Sequence, residues 1–403
     1  IVKVLIDLPQ VRKVYALLRS RTRADGQVVC ARERLQQEVL EGEAFASFRA
    51  ADPKGFARAR QKVVAVGGDI SLPDLGIDPS QRQELLEEVD TIFTIAATVV
   101  FDDPLDDSIR LNTRGPLALL QLAHESSRDV DFIHVSTAYV NGQRAGRVPE
   151  EQLPMDRDIL QLVGSGANGG FDPQVEIADC ESFCRRLYKE AAGEPREREF
   201  RRAALAQTRN RELTDARLQQ LIEDRRKRWL ARALIDEGRR RAKGHGWNDV
   251  YTFTKAMAEQ MLVKKRENTA LVIVRPSIIE SGLQEPAPGW ITGMKVMDPL
   301  VAAYGKGLMP DFPGRRDLII DLIPVDIVVN ATLAAATQAT SREVSVFQVA
   351  SSTENPVRLS TLFDNVRAHF LQYPLRDRDG RAPFLRQWTY SGLRKFKLLF
   401  RLR

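Results

Sequence analysis

Two stretches decide the fold: Tyr251-Thr-Phe-Thr-Lys255 and, further along, Leu271-Val-Ile-Val-Arg-Pro-Ser277. Tyrosine and lysine four positions apart share one face of a helix. An ammonium beside a phenol favours the phenolate, so the phenolic proton becomes easier to give up near neutral pH. Such a pair can protonate an oxygen that turns negative as a carbonyl accepts hydride. The apolar run ending in Arg-Pro reads as the next strand of a nucleotide-binding sheet. Tyr-x-x-x-Lys alone is a weak signal; on a helix that feeds an apolar strand it is far stronger. Trp247-Asn-Asp249 precedes the helix, and Asn248 or Asp249 can supply its N-cap.

Upstream, strand and helix alternate. Val63-Val-Ala-Val66 is a strand that ends in Gly67-Gly-Asp69, Thr91-Ile-Phe-Thr-Ile-Ala-Ala97 is a second, and Asp131-Phe-Ile-His-Val-Ser136 is a third. Gln81–Val89 reads as a helix, as does Leu111–Glu125 with Asn112 near its start. The alternation implies an α/β fold: a Rossmann-type, doubly wound parallel sheet covered on both faces. Ile1–Ile6 and Val11–Leu18 both read as strands, separated only by Asp7-Leu-Pro-Gln10. A parallel crossover needs roughly a dozen residues, so this spacing implies either that a glycine-rich loop and a first helix are missing between them, the preferred reading, or that Ile1–Ile6 is the remnant of a frayed helix. Arg19 to Gln61 is polar and helical in parts, over Glu33–Leu40 and Glu43–Arg49.

From Val148 to His245 apolar strands vanish and charged helical periodicity takes over, as in Leu213–Ile222 and Trp229–Ile235. Gly164–Gly170 is a glycine-rich loop within it. The expected organisation is a sheet core over 1–147, a helical insertion over 148–246, the rest of the sheet with a substrate segment over 247–350, and the start of a mostly helical C-terminal part over 351–403. In that third part Asp321–Asp326 leads into a helix over Ile327–Thr337, and Val346–Ala350 is a late strand.

Thr137 follows the strand before the insertion, where a hydroxyl can donate to the same developing oxyanion as the phenol. Strand alternation puts Ser136 and Thr137 on opposite sides, and Thr137 is the candidate. Arg19 and Arg21 follow the strand at which dinucleotide folds read the adenosine ribose. An acid there selects NAD, an arginine accommodates the 2′-phosphate of NADP. Asp69 is placed to accept from the adenine amino group, and Ala96 and Ala97 allow close backbone approach to the cofactor. The runs Arg225–Arg228 and Arg239–Lys243 suit the phosphates of a carrier or a solvated helix face. The basic, apolar tail Trp388–Arg403 suits an anionic membrane surface or a helix packed on another part of the chain.

The 403 residues are 43% hydrophobic, enough for a large core, and contain no apolar run long enough to span a membrane. Cys30, Cys180 and Cys184 form no disulfide framework or zinc spacing, which fits a reducing cytosol. Cys180 and Cys184, one helical turn apart, read as structural. The net charge of +6 is compatible with phosphate-bearing ligands, anionic lipid or nucleic acid and selects none. No nucleic-acid partner is expected, and oligomeric state, including a homo-oligomer, stays open.

Thr137, Tyr251 and Lys255 resemble the triad of extended short-chain dehydrogenases. More narrowly, the chain resembles the bacterial alcohol-forming fatty acyl-CoA reductases. The likeness runs through Leu8–Arg19, Val135–Gly142, Tyr251–Lys255, Arg275–Ser281, Glu285-Pro-Ala-Pro-Gly-Trp-Ile291 and Asp321–Asp326. It implies NADPH as cofactor, with Arg19, Arg21, Asp69, Ile70, Ala96, Ala97, Asn112, Lys255, Pro276, Ser277 and Ile278 at its site. It also implies a long-chain acyl-CoA or acyl carrier protein thioester, reduced to aldehyde and on to primary alcohol. The resemblance places the family's phosphate loop after Ile6, where this chain has none, and asparagine near positions held here by Thr94 and Val100. Trp290, Ile291, Met294, Leu300 and Val301 either line an acyl channel or belong to a core. Two other readings stay open: an extended dehydrogenase acting on a sugar nucleotide or sterol, and a silent NADPH-sensing or membrane-docking protein.

Overall fold

The computed structural model describes residues 1–23, 25–165, 170–207, 214–294, 297–309, 311–339, 343–392 and 395–396. Two compact units emerge, one of residues 1–276 and 330–348, the other of 277–329 and 349–403.

The first unit begins with a helix where the sequence predicts a strand. Ile1–Ile6 is not a strand; Val2–Asp7 is a helix, α1. Leu5 and Val2 pack there with Leu35, Phe45 and Phe56, and this burial outweighs the β-propensity of two valines. The residues after Asp7 therefore join a helix to strand β1, Val14–Leu18, and no parallel crossover is required between Ile6 and β1. Strand β1 pairs in parallel with β2, Val63–Gly67. Alternation loads both faces of the pair: Val14, Ala16, Leu18, Val63 and Ala65 pack toward α1, while Tyr15, Leu17 and Val66 pack on the other side. Between them lies a short hairpin of Arg21–Thr22 with Val28–Val29, which the charge pattern conceals.

Helix α2, Pro79–Glu88, leads into strand β3, Thr91–Thr94. The strand stops three residues earlier than expected, so Ala96 and Ala97 lie in a loop. Helical structure resumes at Leu105 and runs through a π turn, Ile109–Arg114, into helix α3, Gly115–Glu125. Strand β4, Asp131–Val135, comes next. Helices α4, Pro173–Ala191, α5, Glu194–Gln207, and α6, Asp215–Gly244, form the insertion. Helix α7, Val250–Lys265, then carries Tyr251 and Lys255 into strand β5, Leu271–Pro276. Strand β6, Val344–Val349, completes a sheet of order β6-β5-β4-β3, with the β3–β4 and β4–β5 ladders parallel. Leu120, Phe132, Leu262, Leu271, Ile273 and Val346 form one core on this sheet.

Helix α7 is buried nearly all round, from Val250 to Leu262. Inner residues of α4 and α6, among them Ile177, Cys180, Cys184 and Leu234, pack with Trp247, Phe253 and Met257. Burial pushes both α4 thiols up, that of Cys184 to about 12, so they are inert packing groups. Several residues of the basic runs of α6 are paired: Arg226 with Glu223, Arg239 with Asp102, Arg240 with Glu237, and Arg241 with Glu176 and Glu237.

The second unit has its own core of Tyr304, Leu359, Phe363, Phe370, Leu385 and Trp388. Leu300 and Val301 pack against it, whereas Ile291 and Met294 are exposed. Among the described residues after Leu359, the helix Leu359–Gln372 is followed by irregular chain up to a short strand, Thr389–Ser391, paired with Asp311–Pro313. The start of the basic tail is thus core, with Trp388 stacked on Phe363; residues 393–394 and 397–403 of that tail lie outside the described residues.

One buried ion pair fastens α7 to β5. Arg275 and Glu259 are 0% and 1% exposed, with Arg275 Nη2 2.6 Å from Glu259 Oε2. Removing one partner strands the other charge, at a cost of about 3–5 kcal/mol. Arg275→Met should therefore lower the thermal unfolding midpoint clearly; an unchanged midpoint would show that the pair does not fasten helix to strand.

Candidate active site

The site forms where β4 and β5 end beside the first turns of α7. Asp249 caps that helix, its carboxylate accepting from the Thr252 amide at 2.8 Å. Trp247, just before, donates from Nε1 to the Val140 carbonyl at 2.7 Å. This bond ties the helix entry to the turn after β4, and so to Thr137. The Thr137 hydroxyl accepts from the Tyr139 amide and lies 3.5 Å from the Pro276 carbonyl at the end of β5. Tyr251 lies near enough for the Thr137 hydroxyl to act on its phenol. Thr137 and Tyr251 are thus brought together across more than a hundred residues of sequence.

The electrostatics differ from the sequence expectation. The phenol is not lowered by its neighbour: burial and then the Asp249 carboxylate push it up to about 12, opposed by the Thr137 hydrogen bond. Lys255 is 2% exposed, and burial lowers its ammonium to about 8, with Glu259 opposing. Its Nζ donates to the Val135 carbonyl at 2.7 Å and lies 3.2 Å from His134 Nε2. Both partners belong to β4. Phe101 meets the Tyr251 ring edge-on, centroids 6.1 Å apart. Ile95, Val99, Val100 and Phe101 form an exposed apolar strip in the same loop.

The other sequence candidates divide. Arg19 and Asp69 meet at the ends of β1 and β2, at 3.9 Å, with the arginine side chain 68% exposed. Burial works against the Asp69 carboxylate, but hydrogen bonds from Ser71, with Arg19 and Arg110 nearby, hold it below its ordinary value. Arg21 pairs with Glu38 on the exposed hairpin. Ile70 packs into the core against α3, where Gly115 leaves it room: a Cβ on Gly115 would lie 2.8 Å from Ile70 Cδ1. Ala96 is exposed and Ala97 half-buried. Asn112 is 0% exposed, and its amide links two parts of the protein: Oδ1 accepts from the Thr98 amide at 2.9 Å and Nδ2 donates to Thr254 Oγ1 at 3.1 Å. It therefore braces the loop after β3 against α7. Pro276 ends β5; Ser277 and Ile278 open the second unit.

His134 escaped the sequence reading, although a histidine inside an otherwise apolar strand was the available signal. Glu259 escaped it too; four residues beyond Lys255, it repeats the helical spacing of Tyr251 and Lys255.

Residues 1–332 match the family described as male sterility protein. The chain is 34% identical, over 100% of its length, to fatty acyl-CoA reductase 1 of Arabidopsis thaliana, of which it covers 74%. It is 32% identical, over 99% of its length, to the alcohol-forming fatty acyl-CoA reductase of Simmondsia chinensis, of which it covers 73%. The reductase domain of a non-ribosomal peptide synthetase from Mycobacterium tuberculosis aligns with a TM-score of 0.53 at 16% identity, over 100% of this chain and 72% of that one. That last likeness speaks to the fold alone. The family match and these relatives define an oxidoreductase that takes a nicotinamide cofactor. The chain belongs to the male sterility protein family, alongside the fatty acyl-CoA reductases.

Proposed function

We propose that the protein uses NADPH to reduce a long-chain fatty acyl thioester, on coenzyme A or acyl carrier protein, to the aldehyde and then to the primary alcohol. One observation supports this above others. A phenol kept protonated by burial stands beside the Thr137 hydroxyl, which opposes that rise, in a chain one-third identical to fatty acyl-CoA reductases.

The donor set suits the cofactor. An ammonium has three N–H donors; Lys255 spends one on Val135 and one on His134, and we assign the third to the nicotinamide ribose. Ser136 Oγ is buried without a hydrogen-bond partner at the end of β4. We assign the exposed guanidiniums of Arg19 and Arg21 to the 2′-phosphate, because an acid after β1 would select the unphosphorylated ribose. Bound NADPH supplies hydride to the carbonyl carbon.

In the first reduction, Tyr251 and Thr137 donate hydrogen bonds to the thioester oxygen as it becomes an oxyanion, the usual largest source of stabilisation in acyl chemistry. Collapse of that oxyanion expels the carrier thiolate. In the second reduction, Tyr251 gives its proton to the aldehyde oxygen. An alkoxide is far more basic than a phenolate, so this transfer is downhill even from a phenol raised to about 12. The Lys255 ammonium then steadies the phenolate. The apolar strip from Ile95 to Phe101 gives the acyl chain a surface beside the phenol, and Val100 suits such a chain better than the family's asparagine.

Two outcomes follow. Tyr251→Phe should lower turnover of palmitoyl-CoA by about 10²–10⁴-fold, the range for loss of a positioned acid, with NADPH binding nearly intact. Gas chromatography of the products separates aldehyde from alcohol, and retained turnover would remove Tyr251 from its role. Arg19→Ala should narrow the NADPH-over-NADH preference in kcat/KM by about tenfold, the worth of one charge-assisted hydrogen bond. An unchanged ratio would take Arg19 out of the phosphate site.

A further inference from the structure

The Lys255 ammonium has a neighbour that the reduction scheme leaves unused. His134 is 0% exposed, and its two ring nitrogens face two different groups. Nε2 lies 3.2 Å from Lys255 Nζ, and Nδ1 lies 2.6 Å from Thr94 Oγ1. Thr94 is itself 3% exposed and stands directly opposite His134 in the parallel register of β3 and β4. An ammonium only donates, so Nε2 carries the lone pair and the ring proton sits on Nδ1, pointing at Thr94. Burial, and then the adjacent ammonium, hold the imidazole well below its ordinary value, so it stays neutral. The charged and titratable groups around Lys255 are His134 on β4 and Tyr251 and Glu259 on its own helix, with Arg275 of β5 paired to Glu259.

We propose that His134 is a positioning residue for Lys255: a neutral imidazole, locked as the Nδ1–H tautomer by Thr94, that accepts from the ammonium and holds it charged over the end of β4. The inference rests on the reductase reading given above. A charged group in a dry site keeps its proton only as far as its acceptors stabilise it. Val135 supplies one acceptor and His134 the second. Thr94 is therefore not a substrate contact but the far anchor of this arrangement.

Two measurements on the full chain test it. The first is the ¹⁵N spectrum of the histidine rings, with His134→Gln to assign the signal. With Lys255 charged, His134 should stay neutral and Nδ1-protonated through the pH range, about 6.5, in which free histidine titrates. An Nε2–H tautomer, or titration at that ordinary value, would overturn the proposal. The second is the pH profile of kcat with NADPH and palmitoyl-CoA. In His134→Phe the alkaline limb, where Lys255 loses its proton, should move down by about one pH unit. Thr94→Val should move it the same way by less, and His134→Gln, which restores an acceptor, should bring it back. Variant limbs that superpose on the wild type would also overturn the proposal. If the wild-type protein reduces neither thioester nor aldehyde, the reductase reading falls, and the ring spectrum still decides the role of His134.

Discussion

A lysine ammonium buried to 2% exposure is the constraint on which the rest of the site depends. Taking such a charge out of water costs roughly several kcal/mol unless hydrogen bonds replace the solvent. Here the replacements come from one strand end, the Val135 carbonyl and the His134 ring. They hold only if α7 sits at a fixed distance and rotation against β4. Most of the polar contacts of that helix serve this placement. Asp249 caps its start, Asn112 and Thr113 reach Thr254 from the π turn, Gln260 donates to the Pro154 carbonyl, and Arg275 clasps Glu259. The apolar remainder is buried on every side, between the sheet and the helical insertion.

The same burial acts in opposite directions on the two ionisable groups of the pair. It lifts the phenol of Tyr251 to about 12 and drops the ammonium of Lys255 to about 8. Near neutral pH the pair is thus a protonated acid beside a barely held cation. Environments that push titratable groups apart in this way are a mark of acid–base sites. In the reductase scheme the phenol needs no lowering to act, because the alkoxide it meets is the stronger base.

Much of this was legible in the sequence, and the rest failed for identifiable reasons. Strands β4 and β5 are short apolar runs with clear ends, and α7 carries both its cap and its Tyr-x-x-x-Lys spacing. Thr137 was separable from Ser136 because strand alternation is strict. Val2–Asp7 was misread because two β-branched residues and an isoleucine look like a strand, while the packing of Leu5 that makes them a helix involves residues far along the chain. The effect of Lys255 on Tyr251 was misjudged because helical spacing gives proximity without burial. Asn112 looked like a ligand-facing amide, but its partners, Thr98 and Thr254, are visible only once the loop after β3 is folded onto α7. The short hairpin at Arg21 and the core role of Trp388 were hidden by the charges around them.

The site depends on the state of Lys255, and its titration measures that state directly. Following the lysine ¹³Cε signals with pH, with Lys255→Arg to assign the resonance, should show Lys255 losing its proton near about 8, against about 10.4 for an ordinary lysine. Titration at the ordinary value would mean that the ammonium is solvated, and would contradict the buried site described here.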